Sequence, residues 1–235
     1  MPVSNEMLIR IAHADVMMDM AFSQSLSHWL RETDGDDPRL EKPGRHDAIS
    51  YFGNPVIAIE GDCTEDLVAE EGSLIHINGN LNATITLDGI SNLIITGDVG
   101  PQAEIRADGI CHIFIGGRFT GTIHSVGSLK VWIESNFDGV LKTGTPSTHI
   151  YTGGNFHGDI LPVEKGALLY LTVDGFASQN SLNRIKDLTY TQFNASIGIS
   201  DVAPGLYPQT EYFQRISNRK SANRWCVRAE RRPQE

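Results

Sequence analysis

One three-residue phrase recurs along the middle of the chain at nearly constant spacing. It reads Gly61-Asp62-Cys63, Gly79-Asn80-Leu81, Gly97-Asp98-Val99, Gly117-Arg118-Phe119, Ser135-Asn136-Phe137 and Gly154-Asn155-Phe156. Between the last residues of successive phrases the steps are 18, 18, 20, 18 and 19. An apolar-x-apolar pair precedes each phrase: Ile57/Ile59, Ile75/Ile77, Leu93/Ile95, Ile113/Ile115, Val131/Ile133 and the weaker Ile150/Thr152. Four residues beyond the phrase comes a further apolar residue, as in Cys63 to Leu67, Leu81 to Ile85 and Phe119 to Ile123; the third coil takes two extra residues to reach Ile105. A glycine then follows, at Gly72, Gly89, Gly109, Gly127, Gly144 and Gly166.

Alternation at period two gives short strands with one face inward. Glycine supplies the bends, where positive φ or a close backbone approach excludes other residues. A registered repeat of this length is the signature of stacked coils. The fold class is therefore mainly β: a single-chain β-solenoid, or parallel β-helix, of about six to seven coils. At ~4.8 Å per strand such a rod is on the order of 30 Å long. Three segments follow: 1–48 as a helical N-terminal cap, 49–176 as the solenoid, and 177–235 as a C-terminal cap with a basic tail. In the first, Asp15 to Arg31 reads as an amphipathic helix with Met18, Phe22, Leu26, Trp29 and Leu30 on one stripe, suited to covering the apolar end of the first coil. In the third, a strand is expected around Leu188 to Ile199, and Glu211 to Glu235 reads as a short helix fraying into a polar tail.

Ile75, Leu81, Leu87, Leu93, Val99 and Ile105 fall six apart. This run resembles the hexapeptide repeat of left-handed β-helices, and it slips at Cys111 to Ile113 and again near His149 to Ile150. The coils over residues 55–176 also resemble bactofilins, the polymer-forming bacterial proteins with a right-handed helix of similar period. The first likeness implies acyltransferase or γ-class carbonic anhydrase chemistry, the second a self-assembling scaffold. Both are likenesses of fold, and fold alone does not carry function.

A γ-class metal site would need converging histidines. His112 and His149 share one column with Lys130 in the coil between them, which separates the two histidines by ~9.6 Å, too far for a common zinc. His124 and His157 occupy different columns, and His76 points outward alone. Nucleophile-elbow, phosphate-loop and H-E-x-x-H motifs do not occur in the sequence. The acids next to glycine read first as turn residues. No catalytic residue, metal ligand or cofactor is assigned, and the chain is read as a non-enzyme.

Charge is the remaining functional signal. Residues 1–60 carry a net −5, 61–176 a net −9, 177–210 zero and 211–235 a net +4, which sum to −10. An acidic rod repels phosphate backbones, so nucleic-acid binding by the solenoid is disfavoured. It suits a basic protein partner, since opposite potentials steer encounter. The expected function is a rigid module that binds and neutralises a basic protein, as immunity proteins do to nuclease toxins and phage inhibitors do to defence enzymes. The alternatives are a bactofilin-like scaffold and a β-helix enzyme. Candidate partner-binding residues are Asp88, Asp98, Asp108, Glu134 and Asp138, with Trp132 as an outward aromatic anchor between Val131 and Ile133. With both ends capped, a monomer or small closed oligomer is expected.

Cys63, Cys111 and Cys226 are scattered and odd in number, which fits reduced thiols, and Cys63 and Cys111 fall at core positions. Met1 to Asp15 lacks a basic lead with a long apolar run, and no stretch approaches the ~20 apolar residues of a membrane helix. A cytoplasmic location is the resulting expectation.

Overall fold

The computed structural model describes residues 9–14, 49–51, 56–69, 72–144, 147–162, 168–177, 181, 192–198, 213–218 and 221–230. A short helix, α1 (9–14), comes first. Strand β1 (Ile49–Tyr51) precedes the coils, each of which adds a strand pair. The pairs are β2 (Val56–Glu60) with β3 (Leu67–Ala69), β4 (Ser73–Asn78) with β5 (Thr84–Leu87), and β6 (Ile90–Ile95) with β7 (Glu104–Ala107). Then come β8 (Ile110–Ile115) with β9 (Thr122–Ser125), β10 (Ser128–Ile133) with β11 (Val140–Thr143), and β12 (Ser147–Thr152) with β13 (Asp159–Pro162). Strands β14 (Leu168–Val173), β15 (Gln192–Gly198), β16 (Phe213–Asn218) and β17 (Ser221–Glu230) complete the series.

Odd-numbered strands β1 to β13 form a seven-stranded sheet, and a ten-stranded sheet runs from β2 through the even strands to β14, β15, β17 and β16. All coil-to-coil pairings are parallel and keep register, as in Ile75 with Leu93 and Ile113 with Val131. This is a parallel β-solenoid of about six turns. A third, narrow side is built by single bridges linking Cys63, Leu81, Val99, Phe119, Phe137, Phe156 and Ala177 in sequence.

The core is the tube between these three sides. The hexad residues Ile75, Leu81, Leu87, Leu93, Val99 and Ile105 are all fully buried in it. Phe119, Phe137 and Phe156 stack as an internal ladder, with ring centroids 5.1 and 5.0 Å apart. The rings explain a glycine in the coil that follows. A Cβ on Gly139 would stand 2.5 Å from the Phe119 ring, and Gly158 meets the Phe137 ring in the same way. Cys63 and Cys111 are free and buried, as read from their positions. Burial, with Asp108 and Asp88 nearby, pushes the Cys111 thiol up to about 12, so this thiol stays protonated and unreactive.

One expectation about the flanks changes. The stretch from Glu211 onward is not a helix: β17 runs antiparallel to β15, and β16 antiparallel to β17. The open edge of β15 offers unpaired backbone groups, and a segment holding Trp225, Cys226 and Val227 takes them in preference to local helix. The helix expected over Asp15 to Arg31 lies outside the described residues; α1 precedes it. The strand expected around Leu188 to Ile199 is present as β15.

Phe137 sits between two other rings of the ladder, so Phe137→Ala should cost about 3–5 kcal/mol in urea unfolding. A loss below ~1 kcal/mol would contradict the ladder.

Candidate functional site

Each Gly-Asx phrase is a rung between coils as well as a bend. The side-chain oxygen of Asp62 accepts the backbone N–H of Asn80 at 2.8 Å; Asn80 in turn accepts that of Asp98, and Asp98 that of Arg118, both at 2.7 Å. The ladder resumes from Asn136 to Asn155 at 2.8 Å and from Asn155 to Phe176 at 2.9 Å. Arg118 has no acceptor to pass on, and its Nε donates instead to Asp138 Oδ2 at 2.7 Å. The glycine of the phrase is required because the previous coil's Asx oxygen occupies the space: a Cβ on Gly97 would meet Asn80 Oδ1, and one on Gly117 would meet Asp98 Oδ1. These aspartates therefore do more than favour a turn.

The six candidate contact residues now separate. Asp98 stands in the ladder with one oxygen committed to Arg118. Asp138 is held on both sides, by Arg118 and by His157 Nδ1 at 3.0 Å. Glu134 forms an ion pair with Arg10 of α1. Trp132 does face outward, as alternation requires, but it is only 2% exposed and cannot serve as an open anchor. Asp88 and Asp108 remain exposed on consecutive coils. Asp88 Oδ1 accepts the N–H of the adjacent Gly89.

Trp132 is buried because α1 lies across the flank of the ten-stranded sheet. Register places Ala58, His76, Ile94, Phe114, Trp132, Tyr151 and Thr172 in one outward row. Ile11 and Ala14 of α1 pack on this row with Ile94, Phe114, Trp132 and Tyr151, making a second hydrophobic cluster outside the tube. Trp132 stacks on Tyr151 at 3.6 Å between centroids, and His13 meets its edge at 5.5 Å. Arg10 fixes the helix by donating to the Gly116 carbonyl at 3.3 Å and by pairing with Glu134. A helix of this length is unstable alone, so α1 depends on this contact. A sequence signal for it exists: Leu93-Ile94-Ile95, Ile113-Phe114-Ile115 and Val131-Trp132-Ile133 are apolar on both faces, which implies cover on both sides.

His112, Lys130 and His149 do share one column. His149 stacks on Tyr170 at 4.4 Å, and burial together with Lys130 lowers its pKa. His76 is 4% exposed, and burial lowers its pKa more than Glu60 raises it. Among the described residues, no three His, Cys, Asp or Glu side chains converge as a metal-binding group. Also among them, no helix is long and apolar enough to cross a membrane. The sequence reading missed the exposed aliphatics Ile90, Ile110 and Val126, which flank the glycines at the corner of Asp88 and Asp108. For Ile90 and Ile110 the signal was an apolar residue placed directly after an Asp-Gly pair, and Val126 directly precedes the glycine of the next coil.

Two outcomes are expected. Ile11→Asp should release α1, raising amide exchange over residues 9–14 and dye binding to the uncovered aromatic row, while the circular dichroism of the coils stays unchanged. Both His76 and His149 hold fewer protons folded than unfolded at pH values below the ordinary value of about 6.5. Stability should therefore fall as pH drops through that value towards the lowered folded values, and rise again with pH. Thermal melts of His76→Gln and His149→Gln should show a shallower loss than the parent.

No protein-family model, curated protein or solved structure matches this chain.

Proposed function

We propose that this chain is a non-enzymatic binding module, a stiff acidic solenoid that takes up a basic protein and neutralises it, in the manner of an immunity-type or anti-defence inhibitor. The observation that carries this reading is the excess of carboxylates at the bends. Asp62, Asp66, Asp88, Asp98, Asp108 and Asp138 stand there with the single cation Arg118 among the described residues, whereas Arg106, Lys130 and Lys142 stand on strands. Coil register sets Asp88 and Asp108 on equivalent bends of consecutive coils, so two exposed carboxylates stand ~4.8 Å apart along an edge of the rod. Such edges repel themselves, and a basic partner relieves that repulsion while being steered by it. The cross-coil ladder keeps the surface ordered before binding, which reduces the entropy lost on association.

The bactofilin-like scaffold is the second reading. The reversal of β17 at the C-terminal end interrupts the parallel series, which favours the binding module over an end-to-end stack.

The test is capture by immobilised full-length protein, with the captured protein identified and its association rate followed across salt concentrations. A basic partner whose association slows as salt rises is the expected result. Salt-independent capture of an acidic partner, or filaments of the purified chain in negative stain, would overturn the reading, and filaments would promote the scaffold.

A further inference from the structure

The tripeptide Asp-Gly-Ile occurs twice on consecutive coils, at Asp88-Gly89-Ile90 and Asp108-Gly109-Ile110. Register sets the copies side by side. Ile90 pairs with Ile110, and the amides of Asp88 and Asp108 each donate to the coil before, at Ala69 and Leu87. Val126-Gly127-Ser128 holds the same places on the next coil: Val126 donates to Ala107, and Ser128 pairs with Ile110.

Ile90, Ile110 and Val126 are 69%, 46% and 49% exposed. The fold does not ask for aliphatic residues here. The place of Ile90 is taken by Gly72 on the preceding coil, as the pairing of Ser73 with Ser91 shows, and that of Ile110 by Ser128 on the following one. Between the two rows runs a seam of glycines. Gly89 and Gly109 have φ of 67° and 95°, and a Cβ on Gly127 would fall on the Gly109 backbone, so the seam carries no side chains. No lysine or arginine lies within residues 87–91, 107–111 or 125–129.

We propose that this corner is the docking site of the solenoid, and that its occupant is a segment of a partner protein carrying basic and aliphatic side chains together. The aliphatics meet Ile90, Ile110 and Val126, and the cations meet Asp88 and Asp108. Apolar anchors supply affinity once water is excluded, while the carboxylates set orientation and encounter rate. A second copy of this chain is the wrong occupant, because a symmetric contact would set Asp88 and Asp108 against their own like charges. The inference rests on the binding-module reading and deepens it.

The probe is a fluorescent peptide of alternating lysine and isoleucine, read by anisotropy with the full-length protein at low salt. Lysine–serine and glutamate–isoleucine peptides are the comparisons. Ile90→Ser/Ile110→Ser tests the apolar half and Asp88→Asn/Asp108→Asn the charged half, with Asn keeping the acceptor that Gly89 uses. Asp62→Asn/Asp66→Asn is the control: it removes the same charge from other bends and keeps the oxygens that accept the amides of Asn80 and Thr84. Both corner variants should weaken the lysine–isoleucine peptide about tenfold or more, and the control less than about twofold. Equal weakening by the control, or none in the corner variants, overturns the corner and leaves the acidic-module reading standing. Glutamate–isoleucine binding as tight as lysine–isoleucine overturns both. Self-association in light scattering that the corner variants abolish makes the corner a contact between copies and overturns the proposed occupant.

Discussion

Cross-coil hydrogen bonding through the Gly-Asx phrase is the constraint on which the rest of this structure depends. Ordinary parallel strands satisfy one another along the two sheets, but a bend between them leaves amides with no strand partner. Asp62, Asn80 and Asp98 each lend a side-chain oxygen to the next coil's amide, so the bend becomes a third pairing edge. The requirement propagates: the oxygen needs space, the space demands glycine on the coil that follows, as at Gly97, Gly117 and Gly154, and the glycine holds successive backbones in contact. Where Arg118 breaks the ladder, the neighbouring Asp138 is drawn into an ion pair, and the following coil restarts with Asn136.

A tube built this way sorts side chains by position. Inward positions fill with aliphatics and the Phe119–Phe137–Phe156 stack, and among the described coil residues bends carry most of the carboxylates. The same residue type serves different ends at different bends. Asp98 gives an oxygen to the next coil's amide and Asp138 spends its charge on Arg118 of the coil before, whereas Asp88 and Asp108 stand at a glycine corner beside exposed isoleucines. Charge counted from composition overstates what the surface leaves unpaired, because part of it is already met by cations within the fold.

Core register was legible in full, since period two and the glycine spacing report directly on which backbone positions turn inward. The outer row was legible only in direction. Alternation turned Trp132 outward, but nothing in residues 9–14 advertises a docking helix: Ile11 and Ala14 are too few to make a periodic pattern, and the contact joins positions more than a hundred residues apart, as Arg10 and Gly116 show at a separation of 106. The C-terminal hairpin was hidden for the same reason, its strands being stabilised by the edge they join rather than by their own composition.

By itself, the sequence determined the solenoid, its coil length, its inward residues and the total negative charge, because each is a local or periodic property repeated coil after coil. Only the tertiary structure decided which of those charges are engaged within the fold. That depends on what lies one coil away or across the flank: Asp98 beneath the Arg118 amide, Glu134 against Arg10, and Trp132 under α1. Spatial neighbours eighteen to twenty residues apart along the chain follow from the period, whereas a helix folded back onto a distant face does not follow from any repeat.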